Sequence, residues 1–176
     1  ILHIKGVFCG IDTYFKFIRK LVIFLLILYL IETFFFSIRV VQGKSMYPTI
    51  HENDLIFVDK RHNVEYNRGD IVVMASPIFE DEKYVKRIIG IGGDLIEITN
   101  GKVYVNGVQE MYIKGCSTYS YNFEYWNIPE GYVYVLGDNR EDSLDSRYFG
   151  CVPVEALDGK VRYKYYADKK KLGKVY

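Results

Sequence analysis

From Leu21 to Ile31 every side chain is apolar or tyrosine, and after Glu32 and Thr33 the run resumes with Phe34, Phe35 and Phe36. Such a run is either a membrane span or a helix buried in a globular core, and the choice fixes how the rest of the chain is deployed. Taken as one helix, Leu21 to Ile38 is about 27 Å long at about 1.5 Å per residue, close to the roughly 30 Å of a hydrocarbon core. Glu32, near one end, can reach the headgroups. Lys16, Arg19 and Lys20 precede the run, whereas only Arg39 and Lys44 come closely after it. The positive-inside bias then holds residues 1–20 in the cytoplasm and exports the remainder of the chain. A cleavable leader would end in small residues, but this run exits through Phe-Phe-Phe-Ser-Ile-Arg. The expected organisation is a cytoplasmic segment 1–20, a transmembrane helix 21–38 and an extracytoplasmic domain 39–176, the whole held in the cell membrane by a single pass.

The body is read as all-β. Seventeen Tyr and eleven Phe, together with many Val and Ile, favour half-buried strands over helical bundles. Short β-type runs fall at Leu55 to Val58, Ile71 to Met74, Tyr84 to Ile91, Leu95 to Thr99, Lys102 to Val105, Tyr132 to Leu136 and Val161 to Tyr166. Asn100-Gly101 supplies the two positive φ angles of a type I′ turn and predicts a hairpin over 95–105; Asn106-Gly107 stands beside the next run. Residues 108–130 break the rhythm and read as a cap or excursion. Glu155 to Leu157 suits a helical turn after Pro153, and Lys169-Lys170-Lys171 reads as a solvated tail.

Composition excludes several classes. The formal net charge is +1 and the cations are spread along the chain, so no nucleic-acid footprint stands out. Cys9, Cys116 and Cys151 are odd in number and lack Cys-x-x-Cys spacing, which implies neither a disulfide framework nor a zinc site. They read as small buried hydrophobes, with a Cys116–Cys151 bridge open if that part is exported. No metal or other cofactor is called for.

Three stretches carry chemistry: Gly43-Lys44-Ser45-Met46-Tyr47-Pro48-Thr49, Tyr84-Val85-Lys86-Arg87, and the run from Gly137-Asp138-Asn139-Arg140 through Ser143, Asp145 and Arg147 to Gly150. A serine hydroxyl is a poor nucleophile until a base removes its proton, and His3, His51 and His62 lie in no motif-like context. Lysine can serve if burial lowers its pKa. Lys86 sits in an apolar strand, with Tyr84 on its own face and Arg87 on the other. A shift of two to three units costs about 3 to 4 kcal/mol. The plainer reading makes Lys86 a surface lysine paired with Glu80 or Asp81.

Those three stretches, with Gly69-Asp70-Ile71-Val72, resemble the type I signal peptidase family from the apolar run to about Pro153. The resemblance implies antiparallel sheets of the signal peptidase and LexA type, and removal of signal peptides after small residues. It makes Ser45 the nucleophile, Lys86 the general base and Ser143 the hydroxyl that orients the Lys86 amine. Asp145 and Arg147 become a supporting ion pair, no stronger than a solvated i,i+2 pair need be. Val41, Met46, Ile50 and Tyr84 become the pocket for the small residue before the cut. Implied partners are preprotein signal peptides, the lipid bilayer and secretion or pilus assembly machinery, without nucleic acid.

Two departures stand out. Where some members carry a serine that helps bind the oxyanion, this chain has Gly43, and where proline often comes after the lysine strand it reads Gly90-Ile91-Gly92-Gly93-Asp94, which suggests a looser turn. Two rivals remain: a pilus-associated assembly factor with narrow or no proteolysis, and a self-cleaving repressor of the LexA type, which would need a DNA-binding domain where the apolar run sits.

Overall fold

The apolar run is helical. A computed structural model, describing residues 2–113, 124–168 and 170–175, gives helix α1 over Leu2–Phe34. Every side chain from Leu21 to Ile31 is between 41% and 63% exposed, so this stretch of the helix has no covered face. Among the described residues no helix is long and apolar enough to cross a membrane; Arg19 and Lys20 bracket the run on one side and Glu32 on the other. The helix also stops at Phe34, not Ile38. Aromatic and β-branched residues pass there into strand β1 (Phe36–Val40), which turns Ser37 inward and pairs at the sheet edge.

The chain divides into two units, Ile1–Phe36 and Ser37–Tyr176. The second is built of antiparallel strands: β2 (Leu55–Asp59), β3 (Ile71–Ala75), β4 (Lys83–Ile91), β5 (Leu95–Thr99), β6 (Lys102–Val105), β7 (Val108–Gln109), β8 (Glu124–Asn127) and β9 (Tyr132–Leu136). A one-turn helix α2 (Ser146–Phe149) comes next, then β10 (Val152–Pro153), a 3-10 turn (Val154–Ala156), β11 (Leu157–Tyr166) and β12 (Lys171–Lys174). The larger sheet runs β1-β2-β11-β3-β4-β9-β10 with β12 on β11, and the smaller runs β7-β6-β5-β8. The 108–130 stretch therefore lends β7 and β8 to the smaller sheet, although residues 114–123, with Cys116, lie outside the described residues. Cys151 is a free thiol among the described residues. Lys171 is in a strand paired with Tyr166, not in a tail, and Lys169 lies outside the described residues.

The expected 95–105 hairpin is present in the register Thr99↔Lys102, with Asn100 at φ 50° and Gly101 at φ 73°. Strands β4 and β9 are buried on both faces, which is why they read as continuous apolar runs. Ile88, Val133 and Val135 pack into one core while Ile89, Tyr134 and Leu136 pack into another, against Ile96 and Ile128. Gly90 lets the smaller sheet approach: a Cβ there would lie 2.5 Å from Ile128 Cδ1. The turn after it is not loose. The buried Asp94 carboxylate accepts the Ile91 N–H at 2.9 Å and the Asn106 amide at 3.0 Å, and pairs with Arg68.

Candidate active site

Alternation along β4 separates two neighbouring cations. Arg87 is 2% exposed and forms a fork with the fully buried Asp138 at 2.8 and 2.6 Å, while donating to the Gly69 carbonyl at 2.7 Å. Lys86 faces the other way and is 3% exposed. Its Nζ donates to Ser143 Oγ at 3.0 Å and lies 5.3 Å from the Tyr84 ring centroid. It forms no salt bridge with Glu80 or Asp81 among the described residues. Burial lowers its pKa to about 8; Asp145 and Asp142 pull upward and Arg147 downward, without outweighing the lost hydration.

Ser45 stands in the turn between β1 and β2, a segment closed at its base by the Val41 N–H to the Asp54 carbonyl at 2.9 Å. The Lys164 ammonium, buried on β11, holds the far side of that turn through the Thr49 carbonyl. Asn139 holds the near side. Its backbone N–H donates to the Ser45 carbonyl at 2.9 Å and its amide to the Lys44 carbonyl at 3.2 Å.

Among the described residues no hydrogen bond joins Ser45 Oγ to Lys86, but Gly137 brings the two arms together. A Cβ on Gly137 would lie 2.1 Å from Ser143 Oγ and 2.6 Å from the Ser45 carbonyl oxygen. The hydroxyl that holds the Lys86 amine and the backbone of Ser45 thus share the space that a methyl would take. The Ser45 N–H makes no hydrogen bond among the described residues, leaving it free to meet an oxyanion. Gly43, at φ 84°, has nothing within 4 Å in its Cβ direction, so no side chain assists there. His51 is edge-on to Tyr47 at 5.2 Å between centroids, and neither it nor His62 bonds to Ser45 among the described residues.

Asp145 and Arg147 are more than a solvated pair. Asp145 is fully buried and Arg147 has 6% of its side chain exposed. The carboxylate accepts Arg147 Nε at 2.8 Å and the Gly137 N–H at 3.0 Å; Arg147 in turn donates to the carbonyls of Arg140 and Ser143 at 2.8 and 3.3 Å. The pair knits the loop that presents Ser143.

Beside Ser45 runs a groove of about 510 Å³, with Val41 and Gln42 on one wall, Tyr84 and Val85 on the other and Met46, Ile56 and Val73 at its floor. Arg39, Asp81 and Glu82 line its outer part. Ile50 is the exception among the expected pocket residues. It is fully buried in the same core cluster as Met46 and does not line the groove. Its apolar character after the motif left its side unread. Sequence reasoning also missed Asn139, Gly137 and Asp138; all three stood inside the third stretch, but nothing in their spacing said what they touch.

Ser45 thus lines a groove and bonds to no histidine among the described residues, and the loop that fastens its carbonyl also holds the buried Lys86 amine. The family model "Signal peptidase, peptidase S26" matches residues 14–166. Signal peptidase I S of Bacillus subtilis (strain 168) is 35% identical over 162 residues, covering 84% of this chain and 86% of that protein. Signal peptidase I of Bacillus caldolyticus is 39% identical over 158 residues, 79% of this chain and 84% of that protein. A crystal structure of a signal peptidase I from Enterococcus faecalis V583 is 31% identical, with a TM-score of 0.47, covering 55% of this chain and 97% of that one. The chain belongs to the signal peptidase family and is an enzyme of that type.

Proposed function

We propose that this protein is a membrane-bound serine endopeptidase that removes signal peptides from exported preproteins after small residues, with Ser45 as nucleophile and Lys86 as general base. The observation that carries the reading is the buried Lys86 amine, held by Ser143 and depressed to about 8, beside the groove that Ser45 lines. An extended substrate segment enters the groove in β fashion between the Val41 and Tyr84 walls. Met46 and the walls limit the residue before the cut to a small side chain. Neutral Lys86 accepts the Ser45 proton as Oγ attacks the carbonyl carbon, and the oxyanion forms beside the Ser45 N–H. The tetrahedral adduct collapses, Lys86 returns the proton to the leaving amine, and water attacks the acyl-enzyme with Lys86 again the base. Ser143 keeps the amine aimed throughout, and Asp145 with Arg147 holds Ser143 in place.

Helix α1 is the proposed anchor, a single pass with the amino terminus in the cytoplasm and the catalytic domain outside. Its support is the all-round apolar exposure of Leu21 to Ile31, which suits lipid better than water, with Arg19 and Lys20 reaching for the interface. Incubating the full chain in detergent with a preprotein and mapping the cut by mass spectrometry tests the activity: cleavage after a small residue supports it, and no cleavage by wild type sinks it. Retention in the membrane after alkaline wash, with residues beyond 45 digestible from outside, tests the anchor. Release without detergent would overturn it.

A further inference from the structure

Gly137 is held through both of its backbone polar groups. Its N–H donates to the buried Asp145 carboxylate at 3.0 Å, and its carbonyl accepts from Arg140 Nε at 3.0 Å. Asp145 is paired with Arg147, a neighbour in the same loop. Arg140 is paired with a residue 30 positions earlier: its Nη2 donates to Glu110 Oε2 at 2.8 Å. Both of these side chains are buried, at 3% and 4% exposed. Glu110 is itself fixed from the smaller sheet. It comes directly after β7, its N–H donates to the Val103 carbonyl of β6 at 2.8 Å, and its second carboxylate oxygen accepts the Tyr112 N–H. Among the described residues no strand of the smaller sheet lines the groove beside Ser45, yet that sheet reaches the loop carrying Ser143 through a buried carboxylate.

Stability alone is a poor reason for such a pair, because two buried charges forfeit their hydration and well-packed apolar side chains hold a fold as well or better. What the pair adds is direction. A guanidinium is a planar fork with fixed angles, so with Nη2 on Glu110 and Nε on Gly137 the position of the Gly137 carbonyl follows from that of Glu110. Gly137 is also where the Ser143 hydroxyl and the Ser45 carbonyl crowd the space that a Cβ would take. The Arg140 carbonyl accepts from Arg147 at 2.8 Å, which couples a shift of Arg140 to the Asp145 brace as well. We propose that Glu110 is a positioning residue for the reaction: through Arg140 it fixes Gly137, and with it the spacing between Ser45 and the Ser143 hydroxyl that holds the Lys86 amine. The role rests on the signal peptidase reading of Ser45 and Lys86.

Two variants loosen the two ends of the link. Glu110→Gln keeps the shape, but its amide has one oxygen where the carboxylate has two, so it cannot serve Arg140 and Tyr112 together. Arg140→Lys keeps the buried charges paired and removes the fork. As full chains in detergent, both should cleave a preprotein with kcat lowered about tenfold and KM within about twofold of wild type. Urea melts give the folded fraction, against which kcat is corrected. Hydrogen exchange supplies a readout that needs no substrate: residues 137–147 should exchange about tenfold faster in either variant, with β2 and β11 unchanged. A corrected kcat equal to that of wild type in both variants overturns the role and leaves the peptidase intact, and so does unchanged exchange over 137–147. If Arg140→Lys does not fold, Glu110→Gln decides alone. Wild type that cleaves nothing overturns the catalytic reading, and faster exchange confined to 137–147 in Glu110→Gln then still sustains the brace from Glu110 to Gly137.

Discussion

The Lys86 amine sits 3.0 Å from a hydroxyl, that of Ser143, rather than beside a carboxylate. A carboxylate at that distance would hold the lysine charged. A hydroxyl can accept from the ammonium or donate to the neutral amine, so it orients either form without choosing between them. Burial is then free to set the pKa.

Activity should track that pKa. If Lys86 is the base proposed above it must be neutral to accept the Ser45 proton, and kcat/KM should rise with pH through about 8 and level off well below the range of an ordinary lysine. A pH–rate profile with its midpoint near 10 would remove Lys86 as the base.

The same shift makes Lys86 a burden on folding. Its folded pKa, about 8, lies below that of the unfolded chain, about 10.4, so the penalty grows as pH falls between these values and is complete below about 8. At about 1.36 kcal/mol per unit it amounts to about 3 kcal/mol at neutral pH. Lys86→Met should therefore be inactive yet more stable than wild type at pH 7, by about 1 to 2 kcal/mol once the lost bond to Ser143 is allowed for. The advantage should shrink as pH rises from 8 toward 10. Urea melts at pH 7 and pH 10 measure both effects, and a variant less stable at pH 7 would mean the amine is not desolvated.

Asn139→Ala removes the bond to the Lys44 carbonyl but keeps the backbone bond to Ser45. With one of its two fastenings gone, Ser45 should lose aim more than the protein loses stability. The expected result is a kcat lowered about five- to fiftyfold, with KM within about twofold and at most about 1 kcal/mol of stability lost. A wild-type acylation rate, measured by intact mass in the first turnover, would relieve Asn139 of that role.

Gly137→Ala is the most severe single methyl the site can receive. Its Cβ would meet Ser143 Oγ, Ser143 Cβ and the Ser45 carbonyl at 2.1, 2.5 and 2.6 Å, and two of those atoms cannot swing away. Overpacking of this kind costs about 1 to 3 kcal/mol, and the spacing between Ser45 and Ser143 must widen. Hydrolysis should fall by at least about a hundredfold. Full activity would show that the two arms need not be this close.

The elements are legible where local chemistry decides them. Asn100-Gly101 asks for its hairpin, and the aromatic and β-branched runs find their strands within a residue or so, except β11, which begins at Leu157 rather than Val161 because Gly159 lies against the Asp59 backbone. Less legible is whatever depends on partners distant in the chain. Asp145 and Arg147 look like a surface pair at a spacing of two, and only the Gly137 N–H and the Arg140 and Ser143 carbonyls make them an internal brace. Ile50 is expected in the pocket on the family resemblance, while the turn seats it in the core with Met46, Ile56 and Val58. The end of α1 is hard to read because phenylalanine serves a helix in lipid and an edge strand equally well.

On β4, Lys86 stands opposite Val72 and Arg87 opposite Ile71. One of these cations can shed its proton near neutrality and the other cannot, for a guanidinium stays charged throughout the accessible range. Slipping the pairing by a single position would exchange them, setting a permanent charge next to Ser143 and leaving Asp138 without its fork. Under the proposed mechanism, catalytic competence is in this sense a matter of parity, an odd-or-even property of one strand. Ile88 and Ile89, seated in cores on opposite sides of the sheet, keep the count from changing.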